Sequence, residues 1–299
     1  MPEWDAELRV DETLARRLIS EQFPEVTARS LRLLGEGWDN VVWLVDGAWV
    51  FRFPRRTMVV AGLENEIEYL PRLAPLLPLP VPVPTLIGRP SPEFRWPFYG
   101  APFLPGVELA EAELDEDDRV WLGRPLGAFL RTLHALELDA ELPVDPVRRA
   151  DMTFRVPKTL DRFAELERTG LWTAPPAARE VVDAAARLGP PEPTAIVHGD
   201  LHLRHLLVDD GGVPSAVIDW IDLSRNDPGV DLVLYWCALP PTGRRAFSDA
   251  YGAIDEEQLL RGRILSLFLC GTLALWGRHE AVESVEREAL AGLARTLNE

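Results

Sequence analysis

The stretch HGDLHLRHLLVDDGGVPSAVIDW, residues 198–220, constrains this chain more than any other. It gathers three of the chain's five histidines, His198, His202 and His205, into a polar loop behind the apolar run AIV at 195–197. Two apolar segments then flank an Asp-Gly-Gly turn, a pattern that predicts a small β-hairpin. Asp219 sits at the far end of that hairpin, inside AVIDW. A carboxylate in such surroundings is strongly disfavoured unless it is compensated, so Asp219 is either paired structurally or holds a cation. Because the hairpin returns the chain, Asp219 can approach Asp200 and His205. That geometry offers one carboxylate to orient a hydroxyl, plus an imidazole and a second carboxylate for a divalent ion. Phosphoryl transfer needs those parts and little covalent chemistry besides.

The rest of the chain changes character near residue 104. Residues 11–22 read as a helix capped by Asp11, and 41–45 and 49–53 as strands joined at Asp46-Gly47, a strong two-residue hairpin signal. A helix over 61–76 is stopped by PLPVPVP at 78–84, and strands follow near 84–88 and 98–103. Beyond LPG at 104–106 the segments 118–137, 160–168, 177–188, 228–239 and 256–277 read as helical, with Pro125 starting or kinking the first. Strands return only around 194–220. The expected plan is α+β: a small β-rich lobe over 1–103 and a larger, mostly helical lobe over 104–299.

In this order the chain resembles the aminoglycoside phosphotransferase-like family, relatives of the protein kinases. The stretch from His198 to Asp231 carries the likeness, supported by GEGWDNVVWLV (35–45), VFRFPRR (50–56), LENEIEYLPRL (63–73) and FLPG (103–106). The resemblance implies a protein-kinase-like two-lobed fold and transfer of the γ-phosphate of ATP or GTP to a small-molecule hydroxyl. Asp200 matches the catalytic-loop aspartate that receives or orients the hydroxyl proton, and Asp219 the metal-binding aspartate. His198 matches a hydrogen-bonded support of the loop, and His202 is exposed or locally bonded. Asp227, before Pro228, is placed to cap a helix, and Asp231 is expected to brace the loop.

His205 departs from the commonest family pattern, which has asparagine as second metal ligand. The family's macrolide kinases and its aminoglycoside 2″ kinases are similar to this chain in having histidine there. Mg²⁺ prefers oxygen and Mn²⁺ accepts nitrogen more readily, so the expected cofactor is Mg²⁺ with Mn²⁺ as the alternative. On the nucleotide side, Gly35, Gly37 and Asn40 match the phosphate-covering loop, which lacks a Walker lysine. Arg52 stands where many relatives have lysine; Val50, Arg52 and Pro54 share one strand face, either an exposed edge or the nucleotide side. Glu66 fits the register of its helix partner, with Glu64 the alternative. The base is expected against PFYGAPF at 97–103, with no choice between adenine and guanine.

A formal net charge of −17 disfavours nucleic acid and anionic membrane and suits either a cationic acceptor or simple solubility. The acidic run ELAEAELDEDD at 108–118 is a solvated face or a wall for a polyamine sugar; Asp151, Asp161 and Asp222 are further acceptor-pocket candidates. An aminoglycoside, a macrolide and a metabolic sugar or amino alcohol all fit the likeness as acceptors, and a nucleotide-binding pseudokinase is the rival class. No signal segment opens the chain, the longest apolar patch (264–276) is short for a bilayer, and Cys237 and Cys270 read as reduced core thiols. These features predict a cytoplasmic protein.

Overall fold

The computed structural model describes residues 7–37, 39–138 and 141–298. It divides into two compact units, Met1–Leu76 with Pro80–Leu104, and Leu77–Leu79 with Pro105–Glu299. The fold is α+β, with an antiparallel sheet in the first unit and a mainly helical second unit.

The first unit runs α1 (Glu12–Gln22), β1 (Leu31–Glu36), β2 (Asn40–Val45), β3 (Trp49–Pro54), α2 (Val60–Leu73), β4 (Leu86–Gly88) and β5 (Phe98–Pro102). Its strands form one sheet in the order β1-β2-β3-β5-β4. The β2–β3 turn closes on an Ala48 N–H to Val45 carbonyl bond of 3.0 Å, and Asp46 and Gly47 both have positive φ. That backbone twist matches the twist of the flanking strands, so Asp-Gly selects this register. Alternate residues of β3 then face the core, where Phe51 and Phe53 are fully buried with Phe23, Phe94 and Phe98. Phe53 stacks on Phe98 at 4.6 Å, and such pairs add about 0.5–1.5 kcal/mol beyond the area they bury. Arg52 is carried on the opposite parity.

The second unit runs β6 (Val107–Glu108), α3 (Val120–His134), α4 (Met152–Arg168), α5 (Pro176–Ala185), β7 (Ala195–Val197), β8 (Leu206–Val208), β9 (Pro214–Val217), β10 (Ser224–Asn226), α6 (Val233–Cys237), α7 (Pro241–Tyr251), α8 (Glu256–Glu280) and α9 (Glu283–Leu297). The hairpin β8–β9 is extended by β6, and β7 pairs antiparallel with β10. Asp227 caps a short 3-10 turn over Pro228–Asp231 that precedes α6.

Several expectations change here. Helix α4 begins at Met152, eight residues before the apolar pattern suggests, because Asp151 caps it by accepting the Thr153 N–H. Pro125 lies inside α3 and does not start it. The segment expected as one helix over 228–239 is a 3-10 turn followed by α6, and β6 and β10 are added outside 194–220. Helices α7 and α9 are further elements of this unit, α9 burying Val285, Ala289 and Leu293 on one face. Helix α7 lies close against α3: a Cβ on Gly123 or Gly127 of α3 would run into the carbonyl oxygens of Gly243 and Phe247. In α9, Gly292 packs on Cys270 and Cys237, both buried and free.

The apolar patch 264–276 is the middle of α8, a 25-residue helix. Among the described residues it is the one helix long and apolar enough to cross a membrane, and 61% of its apolar window is buried inside the protein. It packs against α4, α5, α6 and α9.

Candidate active site

The loop after β7 is built around a buried carboxylate. Asp231 accepts the His198 N–H at 2.8 Å and the Gly199 N–H at 2.9 Å, and lies 3.1 Å from His134 Nε2. Burial pushes this carboxyl up, but its hydrogen bonds and His134 outweigh burial and hold it below the usual carboxylate range. Gly199 has φ +86° and lies tight against the Asp222 carbonyl oxygen, a place where a side chain meets both strain and collision.

His198 then ties two parts of the loop together. Its Nδ1 accepts the Asp200 N–H at 3.1 Å, so the ring proton is on Nε2, which donates to the Ile218 carbonyl at 3.0 Å. The backbones of Asp200 and of the residue before Asp219 are thereby fixed to one imidazole. The ring is fully buried, and desolvation pushes its pKa down, which keeps it neutral. It is the support the sequence suggested.

His205 is oriented in the same way. Its Nδ1 lies 2.8 Å from the Asp200 carbonyl oxygen, which can only accept, so Nδ1 carries a proton, and in the neutral ring Nε2 presents the lone pair. That Nε2 is 3.6 Å from Asp219 Oδ2. Two acceptors facing each other at this separation repel unless a proton or cation lies between them, and the set of one imidazole nitrogen and one carboxylate oxygen fits a divalent ion. Asp219 itself has φ +64°, a left-handed conformation that a non-glycine residue adopts under tertiary constraint.

His202 is buried, not exposed, and locally bonded: its Nδ1 accepts the Arg204 N–H at 3.2 Å, and its ring stacks on His205 at 3.8 Å. Burial, with His205 beside it, pushes its pKa well down. Asp200, His202 and His205 bring one ligand atom each to within 4.8 Å of one another, a second grouping able to meet a metal ion.

The structure adds a residue that local spacing does not reveal. Arg149 Nη1 is 2.8 Å from Asp200 Oδ1, and Nη2 bonds the Asp222 carboxylate. Desolvation alone would lower its pKa, but Asp200 and Asp222 more than offset that and keep the guanidinium charged. Its loop is set by Asp145, which accepts the Arg149 and Ala150 N–H groups, and is fastened to β10 by Arg225 N–H to Pro143 carbonyl. The other oxygen of Asp200 lies 3.7 Å from His202 Nε2 and 3.8 Å from His205 Nδ1, beyond hydrogen-bonding range.

In the first unit, Arg52 Nη1 is 3.3 Å from Glu66 Oε1 and both side chains are buried, while Glu64 is exposed. Asn40 is buried two pairs along the β2–β3 ladder from Arg52, and accepts the Gly37 N–H on its carbonyl at 3.0 Å. Gly35 pairs with Val42 just past an irregularity in β1, and a Cβ there would meet open space. Arg55 and Arg56, not singled out by sequence, tie this loop down through Glu36, the Gly37 carbonyl and Asp39.

The other acidic candidates have structural partners or none. Glu108 pairs with Arg204 at 2.7 Å, Glu116 with Arg295 at 2.7 Å, and Glu113 with Arg287, so part of the acidic run braces the helical unit, while Glu111, Asp115, Asp117 and Asp118 are exposed. Asp151 is an N-cap whose pKa is lowered to about 2, chiefly by the Thr153 hydroxyl and Arg148. Asp161 is exposed.

The sequence profile of the phosphotransferase enzyme family matches residues 30–265. The chain belongs to the phosphotransferase enzyme family. The uncharacterized protein YcbJ of Bacillus subtilis (strain 168) is 28% identical to it over 209 residues, 62% of this chain and 62% of YcbJ; the alignment thus spans less than two thirds of that relative. Among solved structures, the GDP and kanamycin complex of an APH(2″) enzyme has TM-score 0.68 at 24% identity, over 94% of this chain and 97% of that one. The macrolide 2′-phosphotransferase MphH from Brachybacterium faecium has TM-score 0.62 at 21% identity, over 95% and 97%. This member of the family therefore has the kinase-like fold of the aminoglycoside and macrolide enzymes.

Proposed function

We propose that this phosphotransferase moves the γ-phosphoryl group of ATP or GTP to a hydroxyl of a small molecule. The observation that carries the reading is the lone-pair face between His205 Nε2 and Asp219 Oδ2 at 3.6 Å, beside Asp200 in the same unit. His205 and Asp219 would hold Mg²⁺ or Mn²⁺, and such an ion would supply charge neutralisation at the phosphates.

Asp200 receives the acceptor. Its Oδ1 is engaged by Arg149, which leaves Oδ2 to accept the hydroxyl hydrogen bond and align the oxygen with the phosphorus. His198 keeps that carboxylate and Asp219 in register through their backbones. In the first unit, Gly35, Gly37 and Asn40 cover the phosphates, and Arg52, steadied by Glu66, contacts them with a fork that suits phosphate oxygens. A kanamycin complex and a macrolide enzyme among the structural relatives support acceptors of small-molecule size. An acceptor screen by phosphate transfer, run with aminoglycosides, macrolides and metabolic alcohols against ATP and GTP, with Mg²⁺ and Mn²⁺, tests the reading. Absence of divalent-dependent transfer from either triphosphate overturns it.

A further inference from the structure

Arg261 of α8 is buried, and its guanidinium meets three separate segments of the helical unit. Nη1 donates to the Ala150 carbonyl at 3.0 Å, Nη2 donates to the Gly189 carbonyl at 2.9 Å, and Nε lies 3.0 Å from Asp227 Oδ2. Ala150 and Asp227 belong to the two supports of Asp200. The first support is the loop that carries Arg149. Ala150, the next residue, is held at both ends: Asp145 accepts its N–H at 3.1 Å and Arg261 binds its carbonyl. From that anchored backbone Arg149 reaches Asp200 at 2.8 Å. The second support is the turn Pro228–Asp231. Asp227 caps it by accepting the Gly229 N–H at 2.9 Å on Oδ1, while Oδ2 faces Arg261. Asp231, at the end of the turn, accepts the His198 and Gly199 N–H groups that precede Asp200.

Helix α8 gives Arg261 a platform with little slack. Three residues before it, the Gln258 carbonyl oxygen lies 2.6 Å from where a Cβ on Gly229 would stand. One residue after it, a Cβ on Gly262 would come within 2.6 Å of Leu232. Between them, the Leu259 carbonyl accepts the Trp236 Nε1–H at 2.8 Å. The backbone around Arg261 is thus pressed against the same turn that Asp227 caps. From this base a planar fork with donors in fixed directions can hold three segments at once, which the point charge of a lysine cannot.

We propose that Arg261 is a positioning residue for phosphoryl transfer: it fixes the backbone beside Arg149 relative to the turn that carries Asp231, and so sets where the Asp200 carboxylate stands. This rests on the phosphoryl-transfer reading of the site. Being buried, Arg261 acts through Arg149 and Asp227 and touches no reacting atom. A displacement of about 1 Å at an aligning group can cost roughly 10²-fold in rate, so a smaller loosening of the Arg149 loop is enough to be read in kcat.

Arg261→Lys keeps a cation for Asp227 but cannot also bind Ala150 and Gly189. Transfer from Mg-ATP and Mg-GTP is measured to kanamycin, erythromycin and glucose, with hydrolysis of each triphosphate in the absence of acceptor, and the fastest of these turnovers is the readout. The kcat of folded Arg261→Lys should fall by about tenfold with the Kd of the Mg-triphosphate unchanged. In an Arg149→Met background the same substitution should cost little more, because the two residues act along one route. A residue that only held helices together would lower the urea midpoint and leave kcat of the folded enzyme alone, or lower kcat by the same factor in both backgrounds. Either result overturns the proposal. Should Arg261→Lys fail to fold, Asp227→Asn decides, since asparagine keeps the cap and the shape. Its kcat should fall by about threefold or more in the wild type and stay level in Arg149→Met, and full activity overturns the proposal. Turnover that is lost in Asp200→Asn but indifferent to Arg261 and Asp227 sinks this inference alone. Absence of any Asp200-dependent turnover removes the phosphotransfer reading and this inference with it.

Discussion

Arg149 holds Asp200 at 2.8 Å with one guanidinium nitrogen while the other bonds Asp222, so the carboxylate proposed to receive the acceptor is positioned before any ligand arrives. Two carboxylates near each other need this cation, and its own loop is fixed by Asp145. Preorganisation of this kind lets a weak base act by alignment instead of by proton affinity.

Removing that cation should be felt in both folding and turnover. Arg149→Met leaves Asp200 and Asp222 without their shared partner, and breaking a buried pair destabilises by about 3–5 kcal/mol, less here because the group retains some solvent contact. Urea unfolding should show the loss. Misalignment of Asp200 should lower kcat by roughly 10²-fold, with nucleotide affinity little changed. Arg149→Lys should recover stability more fully than kcat, since lysine cannot bridge two carboxylates as a planar fork.

The metal-binding proposal separates from the nucleotide contacts of the first unit. Asp219→Ala should weaken binding of the Mg-triphosphate but not of metal-free triphosphate, as read by calorimetry. His205→Asn exchanges a nitrogen ligand for oxygen and should shift activity from Mn²⁺ toward Mg²⁺. A Mn²⁺-to-Mg²⁺ activity ratio unchanged in His205→Asn would contradict the assignment.

Two buried neutral histidines give stability a pH dependence of known sign. Burial holds His198 and His202 below the ordinary 6.5, so the unfolded chain binds more protons than the native state once pH drops below that value. Stability should be level above about pH 6.5 and fall as pH decreases toward 5. Asp231, held below its ordinary 3.8, loses its contribution only in a lower window, as pH falls through its depressed value. Urea midpoints between pH 8 and 5 should decline for the wild type and decline less steeply in His202→Gln, where His198 alone remains.

The glycine seam between α3 and α7 should resist even one carbon. Gly127→Ala aims its Cβ at the Phe247 carbonyl oxygen, and overpacking of this kind destabilises by about 1–3 kcal/mol. Urea unfolding of the Ala variant measures it, with Gly35→Ala, whose Cβ meets open space, as the contrast.

What the sequence revealed, and what it hid, follows from the range of the interactions. The β2–β3 hairpin was legible because Asp46-Gly47 is a local signal. The approach of His205 to Asp219 was legible because one hairpin joins them, and Glu66 was favoured over Glu64 by the family likeness. Arg149 was not legible: its loop reaches Asp200 through β10 and β7, a route with no trace in local spacing. Helices α7 and α9 were missed because their buried apolar residues, Phe247 in the one and Val285, Ala289 and Leu293 in the other, are few and small and stand among charged residues. The start of helix α4 was missed because Arg155, Pro157 and Lys158 interrupt the apolar spacing of its first two turns. The acidic run offered two readings, and its pairing with Arg204, Arg287 and Arg295 depends on partners far along the chain.

The most direct test of phosphoryl transfer at Asp200 compares the wild type with Asp200→Asn in the acceptor screen, alongside calorimetric binding of Mg-ATP and Mg-GTP. Nucleotide affinity should stay the same, while transfer to the acceptor falls by about 10²–10⁴-fold. Undiminished transfer by Asp200→Asn would contradict the account.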